Sequence, residues 1–169
     1  LAVENYASFA DRIMFTTETD SSKKEYLENT FEIADTRFNK VSILYGANGS
    51  GKTFFCKILR ELQRLLDWSP LMAMNNSQLL SLPQFKGMDA PVKPFVFDMA
   101  YQNKPTKFEI EIVINKTTYH YEFNICGKKI ESELLTKKYR RTEKLIERTS
   151  SSFKDIILRS ELKDFENKK

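Results

Sequence analysis

Histidine, cysteine and glycine are scarce in this chain: one, two and five of them among 169 residues. The only histidine, His120, lies in an aromatic run and reads as a half-exposed strand residue. Cys56 and Cys126 are far apart, without metal-like spacing, which points to a reduced pair. No apolar run approaches the ~18 residues of a membrane span, and the N-terminus lacks a signal peptide's basic-then-apolar pattern. These absences lead to the expectation of a cytoplasmic protein without a membrane partner. Ser8, Ser50 and the serines at 150–152 have no His-Asp arrangement to activate them, so nucleophilic catalysis has no support.

What is present describes a globular chain, 41% hydrophobic and 12% aromatic, with room for one domain and a sizeable core. The net charge of +4 is uneven, because a surplus of basic residues gathers from Lys137 to the end. Such a stretch can contact nucleic acid, although a solvated helix face explains it as well. Lys137, Lys138, Arg140 and Arg141 flank a turn and invite the same two readings.

Three of the five glycines crowd into VSILYGANGSGKTFF, residues 41–55. Gly46, Gly51, Lys52 and Thr53 satisfy the pattern G-x-x-x-x-G-K-S/T. Glycines let a loop curl so that successive N–H groups point at phosphate oxygens at a helix N-terminus. Lys52 adds a point charge for the β- and γ-phosphates, and Thr53 adds a hydroxyl for Mg²⁺. Before the loop, VSILY reads as a buried central strand, apolar on both faces. After it, Phe54, Ile58, Leu62 and Leu65/Leu66 form a helical stripe expected to end near Asp67-Trp68, ahead of Ser69-Pro70. The expected nucleotide-binding set is Gly46, Asn48, Gly49, Ser50, Gly51, Lys52, Thr53 and Phe54, with Thr53 as the magnesium ligand and ATP as the nucleotide.

Elsewhere, residues 1–35 suggest two extended segments separated by the polar stretch Thr16 to Glu25. Residues 69–94 hold four of the five prolines and read as an irregular connection, with a helical turn around Leu79 to Leu82. Strict alternation in FEIEIVI and TTYHYEFNI, followed by KIESELLTKKY and KLIER, predicts an antiparallel meander within 95–148. Tyr119, Tyr121 and Phe123 fit a core face better than a base-stacking platform, and Glu109 and Glu111 fall on the opposite, solvated side. Ser152 sits three residues before Asp155 and predicts a terminal helix over 149–169. The fold class expected is α/β: half of a P-loop nucleoside-triphosphatase domain over 1–68, a strand–loop–helix unit, beside the antiparallel β-meander.

The loop interior, Ala47-Asn48-Gly49-Ser50, resembles that of ABC-type ATPase heads and their chromosome-maintenance and DNA-repair relatives. VENYASFAD is similar to the opening strand of bacterial defence ATPases with this head, the abortive-infection and overcoming-lysogenisation-defect groups of AAA-type ATPases. Asn5, Tyr6, Ser8 and Phe9 fit their Asn-aromatic-basic-Ser-Phe signature, with Ala7 at the basic position. PFVFD (94–98), FEIEIVI and KLIER look like the antiparallel portion of the abortive-infection type. That resemblance implies further parts: an aliphatic strand ending in Asp-Glu, a Ser-Gly-rich signature loop from a partner head, and a switch histidine. Gly87 and Gly127 stand in no signature-like setting, and PFVFDMA, ending at Asp98, lacks the following Glu. The terminal helix would then lead to a missing C-terminal lobe. ATP would clamp two heads into a homodimer controlling an effector such as a nuclease, and the lone lobe would bind without efficient turnover. Two other readings remain at this point: a small-molecule P-loop kinase, and a nucleotide-switched module that binds nucleic acid.

Overall fold

A computed structural model describes residues 1–20, 22, 25–73, 92–127, 129–149 and 156–158. The alternation around residue 110 produces the centre of the fold. Strands β5 (Thr106–Ile114) and β6 (Thr117–Cys126) pair antiparallel, with Phe108 opposite Phe123 and Ile110 opposite Tyr121. Asn115 and Lys116 join them, both at positive φ (49° and 63°), the primed geometry that suits the twist of a two-residue hairpin. Strands β7 (Lys129–Lys138) and β8 (Thr142–Thr149) continue the predicted meander.

The N-terminus completes the other side of the sheet. Strand β1 (Ala2–Glu4) lies between β5 and the short β2 (Ile13–Met14). With β9 (Ile156–Leu158), the described order is β2-β1-β5-β6-β7-β8-β9, seven strands. A separate hairpin pairs β3 (Thr30–Ile33) with β4 (Thr36–Asn39), so the two extended segments expected before residue 35 resolve into four short strands by residue 39.

Helix α1 (Lys52–Ala73) packs against the sheet. Ile58 and Leu62, one turn apart on its inner face, join Val3, Tyr6, Phe108, Phe123 and Ile125 in a single core. Phe108 and Phe123 stack with centroids 5.1 Å apart, which makes the aromatic stripe core rather than a base platform. Phe55, not Phe54, extends the inner stripe; Phe54 is exposed.

Three expectations need correction. First, VSILY is not a strand here. Val41 is 77% exposed, Ile43 84% and Tyr45 89%, and residues 41–45 belong to no ladder among the described residues. A strand exists only through its neighbours, and an apolar run suited to burial on both faces finds none in this part of the chain. Second, α1 runs through Pro70 to Ala73. A proline removes one N–H donor, and a long helix can absorb that loss without stopping. Third, the predicted terminal helix is strand β9 at Ile156–Leu158, where β8 offers an open edge to β-branched isoleucines. The rest of that predicted helix, and the turn at Leu79 to Leu82, lie outside the described residues.

Candidate functional site

The loop that opens α1 has the backbone of an anion cradle. Gly49 and Gly51 have φ of 80° and 89°, left-handed values that favour glycine. Helix α1 begins at once, with Phe55 N–H donating to the Gly51 carbonyl at 2.9 Å. As at any helix start, the amides of the first turn have no acceptor one turn back and are available to an anion. Lys52 folds over the loop: its ammonium donates to the Gly46 and Ala47 carbonyls at 2.7 and 2.6 Å, and reaches Ser50 Oγ at 3.4 Å. Asn48 occupies the exposed turn of the loop, Thr53 is exposed, and Phe54 stands under the Lys57 ammonium, 5.5 Å from its ring centroid. The eight residues of the expected nucleotide set lie within the nine-residue stretch 46–54 at one helix start.

The floor of the cradle comes from the N-terminus. Tyr6 and Phe9 exchange backbone hydrogen bonds of 2.8 and 2.7 Å across a tight turn. A Cβ placed on Gly51 would stand 2.8 Å from the Phe9 ring and 3.1 Å from Ser8 Oγ, so only glycine fits above this turn. Ala7 is 3% exposed at φ 50°, and its backbone bonds both Lys93 and Val96. The position that the resemblance gives to a basic side chain is closed off here.

Asn5 anchors the turn. Also at positive φ (52°), a conformation Asn tolerates, it is 2% exposed. Its side-chain amide donates to the carbonyls of Tyr101, Lys104 and Pro105, and its Oδ1 accepts the Phe95 N–H at 2.9 Å. Thr106 Oγ1 donates to the Asn5 carbonyl at 2.6 Å. Sequence reasoning placed Asn5 in a signature but missed this structural role. Its partners lie about a hundred positions away, and no local pattern announces them.

The remaining candidates resolve into structural parts. Asp98 caps a short 3-10 turn, Met99–Tyr101, by accepting the Ala100 N–H at 2.8 Å. His120 lies on the outer face, 4.0 Å from Glu111 and 3.9 Å from Glu122. Glu109 forms a two-pronged pair with Arg12 at 3.0 and 2.8 Å, and the guanidinium holds its carboxyl below the usual range. At the basic turn, Glu143 pairs with Lys137 and Arg141, while Arg140 lies over Tyr139. Among the described residues no group of three or more His, Cys, Asp or Glu could hold a metal ion.

Residues 41–164, from the apolar run before the loop through β9, match the family model described as AAA domain, putative AbiEii toxin, Type IV TA system. The chain belongs to that family. As an AAA domain it is a nucleotide-binding P-loop protein, and the strand order above gives a mostly antiparallel sheet with one helix as this chain's share of that fold. No curated protein and no solved structure matches the chain. No helix among the described residues is long and apolar enough to cross a membrane. The match begins at Val41, so the Asn5 anchor and the Phe9 floor of this AAA domain lie outside the matched span.

Proposed function

We propose that this AAA domain is the ATP-binding lobe of an ABC-like ATPase that acts in bacterial defence against phage. The observation that carries the reading is the pair of left-handed glycines, Gly49 and Gly51, leading directly into α1 with Lys52 folded over them. On binding ATP, Lys52 transfers its ammonium from the Gly46 and Ala47 carbonyls to the β- and γ-phosphates. Backbone N–H groups from Gly49 to Thr53 take the phosphate oxygens, and Phe54 lies at the rim. Magnesium would be held by the Thr53 hydroxyl and would neutralise charge on the terminal phosphates.

Turnover needs an oriented water and charge stabilisation beyond a cradle. Asp98 is spent on its cap, Glu61 pairs with Arg64, and no carboxylate among the described residues pairs with Lys52. In this reading a second lobe brings the Asp-Glu strand and the signature loop, and two heads close on ATP as a homodimer that controls an effector. The apolar segment at residues 41–45 supports this, because its unpaired backbone and exposed side chains suit strands on either side.

Purified chain mixed with Mg²⁺ and radiolabelled ATP tests the reading. It should retain ATP, lose it on Lys52→Ala, and release phosphate no faster than that variant. Lys52-dependent hydrolysis would contradict the assignment of the chemistry to another lobe.

A further inference from the structure

Two hairpin turns at one end of the sheet gather the chain's surplus charge. One joins β5 to β6 at Asn115 and Lys116; the other joins β7 to β8 through Tyr139, Arg140 and Arg141. The pairing makes them neighbours, because Lys138 of β7 stands opposite both Thr118 of β6 and Thr142 of β8. Residues 115–118 and 137–143 together hold five basic side chains, Lys116, Lys137, Lys138, Arg140 and Arg141, against one acidic, Glu143. Their net +4 equals that of the whole chain, so the rest of the molecule is balanced. Glu143 is shared, 2.8 Å from Arg141 and 3.6 Å from Lys137. Lys116, Lys138, Arg140 and Arg141 are all exposed. One sign of charge concentrated at one end of a balanced molecule attracts a polyanion.

An exposed aromatic ring stands among these cations. Tyr139 is 63% exposed, and the Arg140 guanidinium lies over it, 5.8 Å from the ring centroid. Tyr6 and Tyr121, by contrast, pack in or against the core. A tyrosine ring held in solvent is a surface on which a base can stack, and a guanidinium pairs with phosphate through two N–H groups at once. A duplex keeps its base faces covered, and an anionic lipid headgroup has no aromatic face to stack. We propose that this end of the sheet binds single-stranded nucleic acid, with Lys116, Lys138, Arg140 and Arg141 on the phosphates and a base stacked on Tyr139. The surface is separate from the phosphate loop. Helix α1 packs at Phe108, six residues along β5 from Ile114, which at about 3.3 Å per residue is about 20 Å from the turns. The inference therefore does not rest on the ATP-binding reading.

The test is fluorescence anisotropy of labelled oligothymidylate titrated with the purified chain, beside Tyr139→Ala, Arg140→Gln and the double variant Lys138→Glu with Arg140→Glu. Wild type should bind, and the double charge reversal should abolish binding. Tyr139→Ala should weaken it about tenfold, the size of one stacked base. Arg140→Gln, which removes one charge without reversing it, should weaken it about fivefold at about 100 mM salt. With four cations on phosphates, raising salt from about 50 to about 200 mM should weaken wild-type binding about fiftyfold. No binding by the wild type, or equal binding by any of the variants, would overturn the proposal, as would tighter binding of a duplex of the same length. Displacement of the strand by ATP and Mg²⁺ would place it in the phosphate loop and overturn this site. Capture by phosphatidylserine vesicles without binding to the oligonucleotide would mark a membrane surface and overturn it as well.

Discussion

Two segments of this chain are built from the same kind of residue and end in opposite states. Residues 106–114 and residues 41–45 are both short runs rich in β-branched and aromatic side chains. In β5 Phe108 is fully buried, whereas in the 41–45 run Ile43 is 84% exposed and Tyr45 89%. The difference lies in where each finds its neighbours. Strand β5 alternates apolar and polar positions, and its partner β6 follows after two turn residues. VSILY is apolar on both sides and directly precedes a glycine loop that leads into a helix. It needs neighbours that cover both of its faces, and a hairpin cannot supply them. β-propensity is thus a statement about available partners as much as about residue type.

Truncating each segment should separate them sharply. Phe108→Ala removes a ring that stacks on Phe123 and meets Tyr6 edge-on, and it should cost about 3–5 kcal/mol in chemical denaturation. Gly51→Ala joins the two regions: it forces a side chain to positive φ and into the Phe9 ring. It should lower stability by about 1–3 kcal/mol and weaken nucleotide retention as well. Alkaline titration should probe the buried region next. Burial first, with nearby Glu61 adding, raises Tyr6 to about 12, and burial plus the Glu133 hydrogen bond raises Tyr121 further. Both phenols ionise more easily unfolded, so their contribution to stability is complete below pH 10 and falls as pH rises through 10 to 12. Absorbance at 295 nm should show both phenols ionising above the usual tyrosine range. The smallest effect belongs to Ile43→Ser, expected within about 0.5 kcal/mol of wild type in this chain. A large loss there would mean that the 41–45 run already packs against something.

The same contrast explains what the sequence could disclose. The phosphate loop was legible because its chemistry is local: two left-handed glycines, one lysine and a helix start lie within six residues. The meander was legible because period-two alternation and the Asn115-Lys116 turn are local as well. Asn5 was not, since its side chain bonds carbonyls 96, 99 and 100 positions away. Nor was β9, where helical spacing in FKDIILRSELKDF competed with the open edge of β8 and the edge prevailed at residues 156–158. Proline at position 70 misled the estimate of helix length, because its local bias at the preceding residue does not decide a long helix.

The ATP reading of this AAA domain depends on whether the cradle holds a nucleotide. The most direct measurement is calorimetric titration of the purified chain with a non-hydrolysable ATP analogue and Mg²⁺, run beside Lys52→Ala. The account predicts saturable binding to the wild type and none to Lys52→Ala. Absence of binding to the wild type, or equal binding to both, would contradict it.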